Sequence, residues 1–264
     1  MAEEIDIARK RQRDNEKRME LTEHLAELRN RILRVVLYVI ISATACYFFF
    51  KPIYRFLLFP MSTLINAHKD EGWKLVFTHF TEPFFVVLKI SLIAGLVFMS
   101  PFVVFELWGF IAPALTKAER KPLYYVAPMA VVLFFAGVSL AYWVARFAIT
   151  WFVSYVSWFP QATLLQDPET YVIFILKMMG VFGLVFQLPI VLMFLAWIGL
   201  LKSEPMKRSW RYAVVGISLV GVFVTPSNDA FTMLMMIIPV IFLYLGSIWL
   251  VRIIERRREA RMSV

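Results

Sequence analysis

The sequence predicts an all-α membrane protein with six transmembrane helices, built as a single polytopic domain over residues 1–264. Three observations carry this. The 264 residues are 60% hydrophobic and 18% charged, with 25 Phe and 8 Trp, whereas soluble domains hold more charge and fewer aromatics. Several uncharged runs reach the length of a membrane span. The loops between them also alternate in charge. Residues 1–34, 108–122, 199–212 and 252–264 together hold 21 Lys and Arg, whereas 51–82, 146–170 and 225–229 hold 5. By the positive-inside rule both termini are expected in the cytoplasm.

Residues 1–31 are polar and charged and precede the first apolar run. They are expected to stay cytoplasmic, as a tail brushing anionic headgroups, with the first span an uncleaved anchor. Within this region Leu21, Leu25, Leu28 and Ile32 recur at helical spacing. Glu27 and Arg31 stand four apart and can pair on a helix.

The first span is read as about 32–50, ended by Lys51 and Pro52, with a short helix over 61–67 in the outer segment that follows. The second span covers about 83–108, with Pro101 inside it. The third covers 123–145, with an outer segment from Arg146 to Glu169. The fourth covers 171–198 and contains Lys177, Gln187 and Pro189. Thr225-Pro226-Ser227-Asn228-Asp229 is a turn signal that divides the remainder into spans at about 212–225 and 230–251. A basic tail covers 252–264. The fifth span is short. Even the uncharged stretch 212–228 reaches only about 26 Å, against about 30 Å of hydrocarbon, so local thinning of the bilayer is expected there.

The net charge of +9 is spread over the loops, which argues against nucleic-acid binding. Cys46 is the only cysteine, so neither an intrachain disulfide nor a Cys metal cluster is available. His24, His68 and His79 are scattered and read as surface or interfacial residues. No His-Glu-x-x-His, Gly-x-Ser-x-Gly or Walker-type glycine loop is present. Neither catalysis nor a cofactor is expected. No internal repeat and no pair of matched broken helices points to a transporter.

Polar groups within the spans are few. Lys89 and Lys177 are expected to snorkel to the outer interface. Gln187, two residues before Pro189, reads either as a helix–helix hydrogen bond or as the polar lining of a groove. The segment Phe105–Lys121, FELWGFIAPALTKAERK, is shaped unlike an ordinary loop: interfacial aromatics, a rigid Pro113, then Glu119 among Lys117, Arg120 and Lys121. Glu27 and Glu119 are carboxylates in basic neighbourhoods. Either Arg31 and Arg120 neutralise them locally, or they form a pair for a cationic peptide. Such a pair would prefer arginine, whose planar fork lysine cannot copy.

At these residues the sequence resembles the TatC family, the multispanning core of the twin-arginine protein translocase. The resemblance rests on His24-Leu25-Ala26-Glu27-Leu28-Arg29-Asn30-Arg31, on Trp108-Gly109-Phe110-Ile111-Ala112-Pro113-Ala114-Leu115 with Glu119-Arg120, on Phe182-Gly183 and Phe186-Gln187-Leu188-Pro189, and on Thr225-Pro226 with Asp229. It covers nearly the whole chain. It implies a concave, glove-like six-span fold and no enzymatic chemistry. It also implies a receptor for twin-arginine signal peptides of folded cargo, in the bacterial cytoplasmic (inner) membrane. Export would be driven by the proton-motive force with single-span TatA/TatB-type partners, and the chain would form homo-oligomers within the translocase. Carried over, Glu27, Arg29, Phe110, Glu119 and Arg120 form the signal-peptide site. Gln187 stands where the family has a buried Glu or Gln facing the concave side, and Pro60 and Asp229 match outer-side positions.

This chain departs from the family pattern in three places. Its turn is one residue longer than the common Pro-Pro-Asp. Gln187 is neutral. Glu106 stands where members often have an uncharged residue, and is expected to supply a third carboxylate. The rival readings are a secondary transporter for a small solute, which requires several convergent polar groups at the midplane, an intramembrane enzyme, which requires a catalytic pair, and a purely structural anchor, which leaves the 105–121 segment unexplained.

Overall fold

The computed structural model describes the backbone of residues 2–111, 123–224 and 230–262, and the side chains of 24–110, 128–219, 221–222 and 230–256. The helices are α1 (Ala2–Phe48), α2 (Phe50–Ala67), α3 (Glu82–Ile111), α4 (Leu123–Ser154), α5 (Pro168–Val185), α6 (Leu188–Trp197), α7 (Ser203–Arg208), α8 (Trp210–Val224) and α9 (Ala230–Met262). Two strands, β1 (Lys74–Leu75) and β2 (Leu165–Gln166), pair in parallel and tie together the segments after α2 and α4. The all-α expectation did not include this short ladder.

Among the described residues, five stretches are long and apolar enough to cross a bilayer: His24–Phe48, Glu82–Phe110, Pro128–Trp158, Pro168–Trp197 and Ala230–Arg256. The helix α8 has 15 residues, about 22 Å at 1.5 Å per residue, which is short of the hydrocarbon thickness. Large apolar side chains such as Leu33, Ile40, Leu92, Phe242 and Trp249 are exposed on the spans, as a lipid-facing surface requires.

Several boundaries differ from the sequence reading. The first span ends at Phe48, and Lys51-Pro52 begin a new helix rather than end an old one. Proline is tolerated in a first turn, where N–H groups have no helical partner in any case. The helix α2 then runs 18 residues through a buried Pro60. It survives because the carbonyls around the proline find other donors: the Tyr142 hydroxyl donates to the Phe56 carbonyl at 3.0 Å and the Tyr171 hydroxyl to the Leu57 carbonyl at 3.3 Å. The third span does not stop at Ala145. Arg146 points outward while Ala145 and Ala148 are fully buried, so the helix continues to Ser154. Asp167 starts α5, accepting hydrogen bonds from the N–H groups of Glu169 and Thr170 at 3.0 and 2.9 Å. The last helix continues beyond Val251 into the basic tail.

The fourth span is interrupted at Phe186–Gln187, although nothing in the hydropathy pattern marks a broken helix there. Both residues keep right-handed dihedrals, and the Gln187 N–H turns to the Leu184 carbonyl at 3.0 Å. This is one tightened turn rather than an unwound gap.

Small residues set the helix packing, as is usual where lipid offers no hydrophobic drive for association. A Cβ on Gly95 of α3 would lie 2.6 Å from the backbone nitrogen of Ala43 in α1. A Cβ on Gly137 of α4 would lie 2.6 Å from the Phe182 carbonyl oxygen in α5. The main core gathers Ile90, Phe134, Ala141, Val172, Ile175 and Phe182, all fully buried or nearly so.

Candidate peptide-recognition site

Because α1 and α3 touch at Ala43 and Gly95, the two helices stay close along their shared length. Their register brings Glu27, Arg31, Arg34 and Tyr38 of α1 against Glu106, Gly109 and Phe110 of α3. Glu27 and Arg31 meet because residues four apart share a helix face. Arg31 Nη2 and Nε donate to Glu27 Oε1 at 2.6 and 3.0 Å. Across the helix boundary Arg31 Nη1 donates to Glu106 Oε2 at 3.0 Å and to the Glu106 carbonyl at 3.3 Å. Glu106 is further held by Arg34 at 3.2 Å and by the Tyr38 hydroxyl at 3.4 Å. The side chains of Arg31 and Glu106 are only 18% and 12% exposed, so this pair is sheltered.

Glycine at 109 makes the arrangement possible. A Cβ there would fall almost on top of Arg31 Nη1, well inside contact distance. Beside it, the His24 ring stacks on Phe110 with centroids 4.4 Å apart and planes 13° from parallel, and His24 Nδ1 lies 3.7 Å from Glu27 Oε2. On the other side of Gly109, Trp108 packs edge-on against Phe194 of α6. The site therefore joins the α1–α3 pair to the fourth span.

Gln187 lies on that fourth span. Its Nε2 donates to the Ala130 carbonyl of α4 at 2.9 Å, so the helix–helix hydrogen bond is present. Its Oε1 is buried without a partner among the described residues, a costly state in a low-dielectric setting. Arg29 is exposed and has no ion-pair partner among the described residues. Glu119, Arg120 and Asp229 lie outside the described residues. Pro60 lies past the far end of α1 from Glu27, in α2.

With this geometry in place, comparison with known proteins gives a direct result. The family model "Sec-independent protein translocase protein (TatC)" matches residues 23–239. The chain belongs to the TatC family. It is 36% identical over 256 residues to TatC of Koribacter versatilis, covering 93% of this chain and 91% of that one. It is 34% identical over 239 residues to TatC of Synechocystis sp., covering 90% of each. The chloroplast TatC of Arabidopsis thaliana is 34% identical over 94% of this chain and 71% of its own. A crystal structure of the twin-arginine translocase receptor TatC superposes with a TM-score of 0.75 at 31% identity, over 86% of this chain and 98% of that one. The TatC resemblance read from the sequence is thereby established. So is a place in twin-arginine protein transport and in a membrane.

Glu27 is paired locally with Arg31. Lys89, expected to reach the outer interface, pairs through its ammonium with Glu169 in the first turn of α5. Lys177 is exposed with no ion-pair partner among the described residues. The sequence reading missed Arg34, Tyr38 and Gly109 as parts of the site. The available signal was spacing: Arg31, Arg34 and Tyr38 follow Glu27 at intervals of three and four.

Proposed function

We propose that this TatC chain is the receptor and scaffold of a twin-arginine translocase. It binds twin-arginine signal peptides of folded cargo at its cytoplasmic face and organises their proton-motive-force-driven export. In this reading six spans form a concave arrangement in a bacterial cytoplasmic membrane, both termini are cytoplasmic, and α8 carries the short fifth span. Single-span TatA/TatB-type proteins and further copies of the chain complete the assembly. Glu27 and Glu119 hold the two arginines, Glu106 adds a third carboxylate, and Arg29, Phe110 and Arg120 border them. The apolar part of the peptide lies along the concave face near Gln187, where a polar contact in a low-dielectric setting is worth about 1 kcal/mol.

The observation that supports this reading is the guanidinium of Arg31 seated between Glu27 and Glu106. Two carboxylates from two helices converge on a single planar fork, the geometry a peptide arginine would need. Lysine, a point donor without the fork, fits it poorly. The test is binding of a twin-arginine signal peptide to the purified protein in detergent, beside a twin-lysine peptide and the Glu119→Ala variant. Binding lost in both controls is expected. Equal binding in all three would reduce the site to a structural contact.

A further inference from the structure

We infer that Arg31 is a resident ligand of the guanidinium site, and that an incoming arginine must displace it. The inference rests on the receptor reading above. Arg31 uses all three of its guanidinium nitrogens, on Glu27 Oε1, Glu106 Oε2 and the Glu106 carbonyl. Gly109 leaves the space in which the fork sits. With Arg34 also on Glu106, two cations balance two carboxylates, and the exposed Arg29 adds positive charge nearby. A peptide arginine therefore meets a filled, neutralised site, not an open acidic one.

Binding then becomes an exchange. One arginine replacing Arg31 makes the bonds that Arg31 gives up, so a single exchange gains little. A lysine makes fewer bonds than it breaks, since an ammonium has no fork to bridge two carboxylates. Arg31 thus lowers the affinity of the site for every peptide that must displace it.

Two variants of the full-length protein release the site from its resident fork. Arg31→Gln deletes the charge and the fork. Arg31→Lys keeps the charge but loses the fork. Binding of a twin-arginine peptide and of an Arg-Lys peptide is measured for each in detergent. Both variants are expected to bind the twin-arginine peptide tighter, Arg31→Gln by about tenfold or more, since charge-assisted hydrogen bonds no longer have to be broken first. The Arg-Lys peptide should gain by a similar factor, because both peptides are relieved of the same displacement cost. Unchanged or weaker binding overturns the inference. If one variant does not fold, the other decides. If neither folds, the seated Arg31 is a structural necessity, which also overturns displacement. A wild-type protein that fails to distinguish twin arginine from twin lysine overturns the receptor reading itself. A wild-type protein that does distinguish them, with variants no tighter, overturns only the role of Arg31.

Discussion

Tyr142 repairs the helix that Pro60 interrupts. Proline has no N–H to give the carbonyl four residues earlier; that carbonyl belongs to Phe56, and the Tyr142 hydroxyl of α4 donates to it at 3.0 Å. Pro60 is therefore coupled to a neighbouring helix through one backbone oxygen. Tyr142→Phe should lower stability by about 1 kcal/mol, the usual net worth of such a bond. In a Pro60→Ala background the N–H restored at position 60 can serve Phe56, and Tyr142→Phe should then be nearly neutral. Thermal unfolding of the four proteins in detergent measures the difference, and equal effects in both backgrounds would refute the coupling.

The glycines at helix contacts should divide sharply. A Cβ at Gly137 meets the backbone oxygen of Phe182, which cannot move aside as a side chain can, whereas a Cβ at Gly246 meets nothing within 4 Å. Gly137→Ala should lose about 1–3 kcal/mol, as overpacked sites do. Gly246→Ala should be neutral or slightly stabilising, because alanine favours the helix. Unfolding midpoints of the two variants provide the check.

The Asp167 cap should fail in acid. Burial pushes its carboxyl upward, but the Thr170 hydroxyl, the N–H groups of Thr170 and Glu169, and the charge of Lys89 outweigh it and hold the group below its ordinary value. A carboxyl lowered in the folded state stabilises fully above its unfolded pKa of about 3.9 and loses that contribution as pH falls through the lower folded value. Amide exchange at Glu169 and Thr170 should therefore stay protected at pH 5 and accelerate only well below pH 4. Asp167→Ala should remove about 1 kcal/mol together with this pH dependence.

Glu106 should show non-additivity with Arg31. On the receptor reading a peptide arginine and Arg31 use the same carboxylate in the wild-type protein, so Glu106→Gln weakens both and changes peptide affinity little. In the Arg31→Gln background no resident ligand cancels the loss, and Glu106→Gln should weaken twin-arginine binding by about tenfold. A double-mutant cycle on peptide affinity reads this directly, and equal effects in the two backgrounds would contradict a shared site.

The spans were legible in the sequence because lipid demands long uncharged runs, and the Glu27–Arg31 pair was legible because helical spacing makes neighbours of residues four apart. The contacts that build the site were not. Arg31 and Glu106 are 75 residues apart, and Lys89 and Glu169 are 80 apart. Each pairing depends on the register of two packed helices. For α1 and α3 that register is set by close contacts such as Ala43 with Gly95, which hydropathy does not report. Proline and charge were misread for a related reason. Lys51-Pro52 fell in a first turn, Pro60 was supported by two tyrosines, and Arg146 faced outward, so none of them ended a helix.

The most direct test of arginine recognition at the α1–α3 cluster is the location of the peptide arginines. A photo-reactive benzoyl-phenylalanine replaces Phe110, the aromatic stacked on His24 beside the Glu27–Arg31–Glu106 cluster, and the membrane-embedded protein is irradiated with a labelled twin-arginine signal peptide. A strong cross-link to residues flanking the arginine pair is expected, abolished by a twin-lysine peptide. Efficient peptide binding with no cross-link from position 110, or one that persists with twin lysine, would place recognition elsewhere and contradict a guanidinium site at this cluster.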